Sequence, residues 1–74
     1  MAGITNIIAN NEESRMEIEV SEGGTLYRQE FGESYAIALT SVTAKSTIYD
    51  KTAEPGVYYQ YRIDSDTWSN AVIL

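Results

Sequence analysis

Large apolar and polar-tipped side chains alternate strictly over residues 57–64. The apolar set is Val57, Tyr59, Tyr61 and Ile63, and the residues between them are Tyr58, Gln60, Arg62 and Asp64. A period of two is the period of a β-strand, in which successive side chains point to opposite faces. The alternation therefore predicts a strand of an antiparallel sheet with one buried face.

The rest of the chain consists of short extended patterns separated by turn-forming residues. Met16, Ile18 and Val20 alternate with two glutamates, which predicts a half-buried strand of about six residues. Further strands are predicted at residues 4–8, 25–31, 35–43 and 46–49 and in the β-branched run that closes the chain. Seven strands at a spacing of roughly 8–12 residues indicate an all-β sandwich or small barrel.

Two local assignments concern the surface of that fold. Tyr35, Ile37 and Leu39 are predicted to share one face of their strand, which leaves a face of small residues that another surface can approach closely. A helix is the competing interpretation for residues 35–40, although the β-branched residues that follow favour a strand. Residues 50–56 are predicted to form the loop before the strongly alternating strand.

Composition argues against catalysis. The 74 residues include no cysteine and no histidine, so thiolate chemistry, the usual zinc ligands and the usual neutral-pH base are all missing. Glu17 and Glu19 share a face and resemble a carboxylate pair, and Asp64, Ser65 and Asp66 offer oxygen ligands for calcium. The simpler explanation for the two glutamates is that they are solvated on the exposed face of a strand. The simpler explanation for residues 64–66 is that they form a turn. We expect no enzyme activity, no metal and no cofactor.

The charge balance limits the partners. A net charge of −6 with five scattered cations predicts no nucleic-acid binding through phosphates. No apolar run approaches the roughly 18 residues of a membrane span. The segment Met1 to Asn6 lacks the basic and apolar regions of a signal peptide. We therefore expect synthesis in a host cytoplasm and no membrane partner.

From Leu26 onward the chain resembles the second half of a fibronectin type III domain. The residues that carry the resemblance are Leu26-Tyr27-Arg28, Thr47 to Thr52, Pro55-Gly56 with Tyr59 and Tyr61-Arg62-Ile63, and Trp68 to Val72. The resemblance implies an antiparallel, seven-stranded, immunoglobulin-like sandwich formed by residues 1–74 as a single, trimmed domain. Val20 stands where that family usually has a core tryptophan, and Trp68 is expected to fold over one end of the core instead.

The resemblance also implies a role for Tyr59, as the tyrosine corner whose hydroxyl bonds to the backbone of the preceding loop. The six tyrosines and one tryptophan provide the candidates for protein contact. These candidates are Tyr27, Tyr58, Arg62 and Trp68. Packing across strands is the simpler explanation for the aromatic residues, and an exposed ion pair with an acid such as Glu30 is the simpler expectation for Arg62.

Two functions remain open at this point. In the first, the chain is a non-enzymatic binding or structural module, an accessory or decorating component of a larger assembly such as a bacteriophage particle. An edge strand or the tyrosine-bearing face would then contact copies of itself or a scaffold, with carbohydrate as a further candidate ligand. In the second, it is a small acidic inhibitor that occludes a basic site on a host enzyme or nuclease. Salt should weaken only the second mode of binding steeply.

Overall fold

The computed structural model describes residues 3–74, and every regular element in that range is a β-strand. Met1 and Ala2, with which the predicted domain and the signal-peptide comparison begin, lie outside the described residues. The strands are β1 (Ile4–Asn10), β2 (Arg15–Val20), β3 (Gly24–Glu30), β4 (Ile37–Val42), β5 (Ser46–Asp50), β6 (Tyr58–Ile63) and β7 (Val72–Ile73). The all-β prediction is confirmed, and the helical alternative for residues 35–40 is wrong.

The strands form two antiparallel sheets that face each other. One has three strands in the order β1-β2-β5, and the other has four in the order β4-β3-β6-β7. The chain crosses from one sheet to the other after β2, after β4 and after β5. Strands that are neighbours in sequence are therefore divided between two layers, which encloses a core between them.

The core lies between the two sheets and contains the side chains that the alternation pointed inward. Tyr61 is fully buried, and Tyr59 is 2% exposed. The buried apolar residues are Met16, Ile18, Val20, Leu26, Val42, Ala53, Tyr59, Tyr61 and Ile63. Val20 thus belongs to the core, as its alternation with the glutamates of β2 predicted.

Strand β4 departs from the predicted alternation. Tyr35 precedes the strand and is 63% exposed, Ile37 is 42% exposed, and only Leu39 packs against the core. The register shifts between the partners of Leu26 and Tyr27, so that Leu39 is a bulge. Because a bulge adds one residue, the alternation on its two sides falls out of phase, and Val42 becomes the buried residue.

The end of β5 also differs from the sequence prediction. Asp50, which was expected to open a surface loop, is the last residue of β5 and is 4% exposed. It pairs in register with Met16 of β2, whose side chain is also buried. The carboxylate therefore enters the gap between the sheets, where burial requires that its oxygens be hydrogen-bonded.

Candidate functional site

The four predicted contact residues lie together on the outer surface of the four-stranded sheet. Tyr27 of β3 pairs in register with Arg62 of β6, and Tyr58 lies on the same side of β6 as Arg62. The guanidinium carbon of Arg62 lies 5.3 Å from the centroid of the Tyr27 ring and 4.4 Å from that of the Trp68 ring. Both distances fall within the range of a cation–π contact.

The segment before β7 holds Trp68 in place. The backbone N–H of Ser69 donates to the carbonyl of Tyr61 at 2.9 Å, and the Ser69 hydroxyl accepts from the Tyr61 N–H at 3.0 Å. Trp68 is half-buried, lies four residues before β7 and is not among the core residues. Ser69 anchors this segment along β6, and Trp68 lines two grooves that it shares with Ile4 of the other sheet. That Trp68 folds over one end of the core stays a prediction.

Arg62 does not form the expected ion pair with Glu30. Within residues 3–74 the ion pairs are Arg15–Glu17 and Arg28–Asp50. Glu30 pairs in register with Tyr59, three positions from Arg62 along β6, so the two side chains emerge on opposite faces of the sheet. The Arg62 Nε atom is buried and has no hydrogen-bond partner in the described part of the chain.

A second row of apolar side chains crosses the same surface. Tyr58 pairs in register with Ile73, and its carbonyl accepts a 2.9 Å hydrogen bond from the N–H of Phe31. The exposures of Phe31, Tyr58 and Ile73 are 65%, 51% and 38%. Sequence reasoning missed Phe31 and Ile73, although the two-residue period from Tyr27 places Phe31 on the same face.

We call this surface the aromatic face and define it by six residues. They are Tyr27, Phe31, Tyr58, Arg62, Trp68 and Ile73. Between its two rows, the Gln29 amide donates to Gln60 at 3.3 Å, and Gln60 donates to the Ser69 carbonyl at 3.0 Å. The outward-facing residues of β3, β6 and β7 include no acid. The face is therefore apolar with one cation, on a chain whose net charge is −6.

The Tyr59 hydroxyl lies at the turn into β6. It accepts a 2.9 Å hydrogen bond from the backbone N–H of Glu54, five residues earlier in the chain. The Tyr59 ring is buried, and the guanidinium carbon of Arg28 lies 4.7 Å from its centroid. Tyr59 thus joins the preceding loop to the core and has no exposed surface with which to bind a partner.

A buried polar cluster surrounds Asp50. One carboxylate oxygen accepts from the Tyr61 hydroxyl at 2.6 Å and from Arg28 at 3.0 Å, and the other accepts from the hydroxyl and N–H of Thr52. Burial alone would raise the pKa of Asp50, but the hydrogen bonds from Tyr61, Thr52 and Arg28 outweigh it and hold that pKa below its usual value. Burial and the bond to Asp50 raise the pKa of the Tyr61 hydroxyl. The cluster is therefore an ionised carboxylate held by neutral and cationic donors.

Three other acids singled out in the sequence accept hydrogen bonds from elsewhere in the chain, and Glu19 lies beside Glu17 on β2 with an intermediate exposure. Glu17 accepts from the Asn10 amide at 3.0 Å and from Arg15 at 3.1 Å, which lowers its pKa. The Asp64 carboxylate accepts from the N–H of Thr25 in β3 at 2.9 Å, and its turn is closed by the 3.0 Å bond from the Asp66 N–H to the Ile63 carbonyl. Asp66 accepts from the N–H of Gly3, also at 2.9 Å. Across residues 3–74, no group of three or more acids has the arrangement of a metal site.

Comparisons with protein-family models, with curated proteins and with solved structures found no match to this chain. Residues 3–74 also contain no helix long and apolar enough to cross a membrane.

Proposed function

We propose that this chain is a non-enzymatic binding module that attaches to a protein partner through the aromatic face. The single observation behind the proposal is the meeting of Tyr27, Tyr58, Arg62 and Trp68 on one surface, where the outward-facing residues of the three strands include no acid. Exposed apolar patches with aromatic residues and arginine are typical of protein interfaces. Aromatic and arginine side chains also supply most of the binding energy where interfaces have been mutated.

We further propose that the fold is of the fibronectin type III kind. The division of seven strands into sheets of three and four supports this, because the resemblance implied a seven-stranded sandwich. The hydrogen bond between Tyr59 and Glu54 supports it as well, since a tyrosine corner bonds back to the backbone a few residues upstream.

The chemistry of the face defines the partner it would suit. Phe31, Tyr58 and Ile73 form an apolar row, whereas Arg62 adds a charge that takes part in no ion pair within residues 3–74. Tyr27 and Trp68 both contact the guanidinium, so that little side-chain entropy is lost when Arg62 binds a partner. The matching partner surface is an apolar patch with a carboxylate opposite Arg62.

A role as an accessory or decorating component of a larger assembly, such as a bacteriophage particle, fits this kind of contact. The chain would then be made in the host cytoplasm and bind the particle by shape and apolar area. Stacking of a sugar ring on Tyr58 or Trp68 is the competing outcome, because exposed aromatic rings also suit carbohydrate.

The alternative of an acidic inhibitor depends on acids rather than on the aromatic face. Asp50 is buried, and Glu17 is paired with Arg15, so neither adds a free charge to the surface. The acids nearest to one another in sequence on an exposed surface are Glu12 and Glu13, in the turn between β1 and β2. An inhibitor would use that end of the molecule, on the opposite sheet from the aromatic face.

A binding assay with matched variants tests the proposal. The particle fraction from the cells that make this chain is sedimented with tagged wild-type chain, Tyr58→Ala or Tyr49→Ala. Tyr58 and Tyr49 are matched in exposure, at 51% and 49%, but only Tyr58 lies on the sheet that carries the aromatic face. We expect loss of co-sedimentation for Tyr58→Ala alone, and little change from about 0.05 M to about 0.5 M salt. Loss in both variants, or steep salt dependence, would contradict the proposal.

A further inference from the structure

We propose that two copies of this chain pair through the free edge of β4 and join their four-stranded sheets into one continuous sheet. Within residues 3–74, β4 has β3 as its one neighbouring strand, so its other side presents backbone N–H and C=O groups that have no strand partner in that range. Antiparallel pairing of β4 with its own copy satisfies those groups and closes as a two-fold dimer.

β4 lacks most of the features that keep an edge strand from pairing. It contains no charged residue and no proline, and the bulge at Leu39 is its one protective feature. Beyond the bulge, Thr40 to Val42 keep a regular register with β3 and offer a straight segment for pairing. We therefore place the two-fold axis near Ser41, whose side chain is exposed.

The remaining edge strands are less suitable. β7 has two residues. β5 ends at the buried Asp50, and Lys45 and Lys51 flank the strand. β1 is uncharged, but a groove of about 410 Å³ separates its residues 4–7 from Trp68 and the segment that follows it. Trp68 and the segment that follows it therefore lie beside β1 and leave less room for an incoming strand there.

Charge argues for a second copy as the partner of β4. Two molecules that each carry a net charge of −6 repel one another except where acids are absent. The longest acid-free run in the sequence is the 16 residues from Ser34 to Tyr49, which includes all of β4 and most of β5. Its one charge is Lys45. Glu30 and Glu33 line a groove with Ile37 at the start of β4, so two copies repel least at the other end of the strand, along Thr40 to Val42.

Apolar surface beside β4 gives the pairing a further driving force. A groove of about 250 Å³ lies between β4 and β5, and Leu39 and Ile48 contribute to its walls. Ile37, the first residue of β4, is 42% exposed. A second copy along β4 would cover part of this surface and remove it from water.

A dimer with this symmetry would present two aromatic faces to one partner. A two-fold axis perpendicular to a sheet turns each outer face onto the same side, so the two aromatic faces would lie side by side. An assembly with repeated sites would then be bound at two points, which raises the overall affinity without any new contact. The dimer itself does not depend on what the aromatic face binds.

Sedimentation equilibrium of the purified chain tests the pairing, with variants that introduce a negative or a positive charge at position 41. We expect wild type to reach twice its mass of 8.2 kDa as concentration rises. Ser41→Glu and Ser41→Lys should each raise the dissociation constant by about tenfold, because like charges meet at the axis, and an equal mixture should restore the dimer. Thr5→Glu on β1, an exposed position away from this side, is the control and should dimerise like wild type.

Hydrogen exchange provides a readout that needs no variant. The amides of Thr40 to Val42 should gain protection as wild-type concentration rises, whereas those of β1 should not. A mass of 8.2 kDa at every concentration would overturn the proposal. Dimers that survive Ser41→Glu, or that Thr5→Glu disrupts instead, would overturn it as well.

Discussion

The hydroxyl of Tyr61 in β6 donates a 2.6 Å hydrogen bond to the buried carboxylate of Asp50 in β5, and this bond joins the two sheets across the core. Arg28 of β3 donates to the same oxygen at 3.0 Å. Two strands of one sheet therefore hold a single carboxylate of the other. A carboxylate in that position would be costly without these donors, so we expect the three side chains to contribute to stability as a unit.

That dependence predicts non-additive losses of stability. Tyr61→Phe should lower the free energy of unfolding by about 2 kcal/mol, because a hydrogen bond to a charged group is lost. Asp50→Asn should lower the free energy of unfolding by about 3 kcal/mol, because the partly buried guanidinium of Arg28 loses its counter-ion. Urea unfolding at neutral pH measures both changes, and the double variant should lose about 1 kcal/mol less than their sum. Strict additivity would show that the contacts act independently.

The depressed pKa of Asp50 predicts loss of stability in acid. Its folded-state pKa lies below its unfolded-state pKa, so at acidic pH the unfolded chain binds more protons. The stabilisation is fully present above about pH 4 and is lost as the pH falls through the folded-state value. Urea midpoints measured from pH 7 to about pH 2 should fall steeply for wild type and less for Asp50→Asn. Glu17→Gln, at a surface carboxylate shifted in the same direction, is the control and should retain most of the steepness.

The Tyr59 hydroxyl predicts a smaller effect at the turn into β6. Tyr59→Phe removes the acceptor of the Glu54 N–H and should lower the free energy of unfolding by about 1 kcal/mol. Tyr58→Phe removes the hydroxyl of an exposed ring and should leave the urea midpoint unchanged. Equal midpoints for wild type and Tyr59→Phe would contradict a stabilising role for this bond.

Trp68 provides a probe of the aromatic face, because it is the one tryptophan of the chain. Arg62→Ala should shift Trp68 fluorescence to longer wavelength, since the guanidinium 4.4 Å from its ring would be replaced by water. The stability loss should be about 1 kcal/mol. Arg62→Lys should shift the emission less than Arg62→Ala does. Unchanged emission in Arg62→Ala would mean that Arg62 does not cover the ring.

Side-chain alternation was sufficient to predict the central strands and the inward direction of Tyr59 and Tyr61. These strands have partners on both sides and one buried face, so local pattern and tertiary environment agree. At the edge of the sheet the two disagree. Leu39 forms a bulge and Tyr35 is exposed, and neither feature leaves a signal in the alternation.

The polar contacts were harder to predict from sequence. Asp50 resembles a loop residue because Asp favours turns, and only the pairing of β5 with β2 turns it inward. The stacking of Trp68 on Arg62 depends on Ser69, whose bonds to β6 set the path of an irregular segment. A period in the sequence predicts which face of a strand a residue occupies, but it does not predict which distant residue that side chain will contact.

The most direct test of the aromatic face is site-specific crosslinking in the cells that make this chain. A photo-activated phenylalanine analogue replaces either Tyr58 or Tyr49, two rings of closely similar exposure on different sheets. We predict that one discrete crosslinked protein forms from position 58, that Arg62→Ala reduces its yield, and that position 49 gives no such product. The same product from both positions, or from position 49 alone, would contradict binding through the aromatic face.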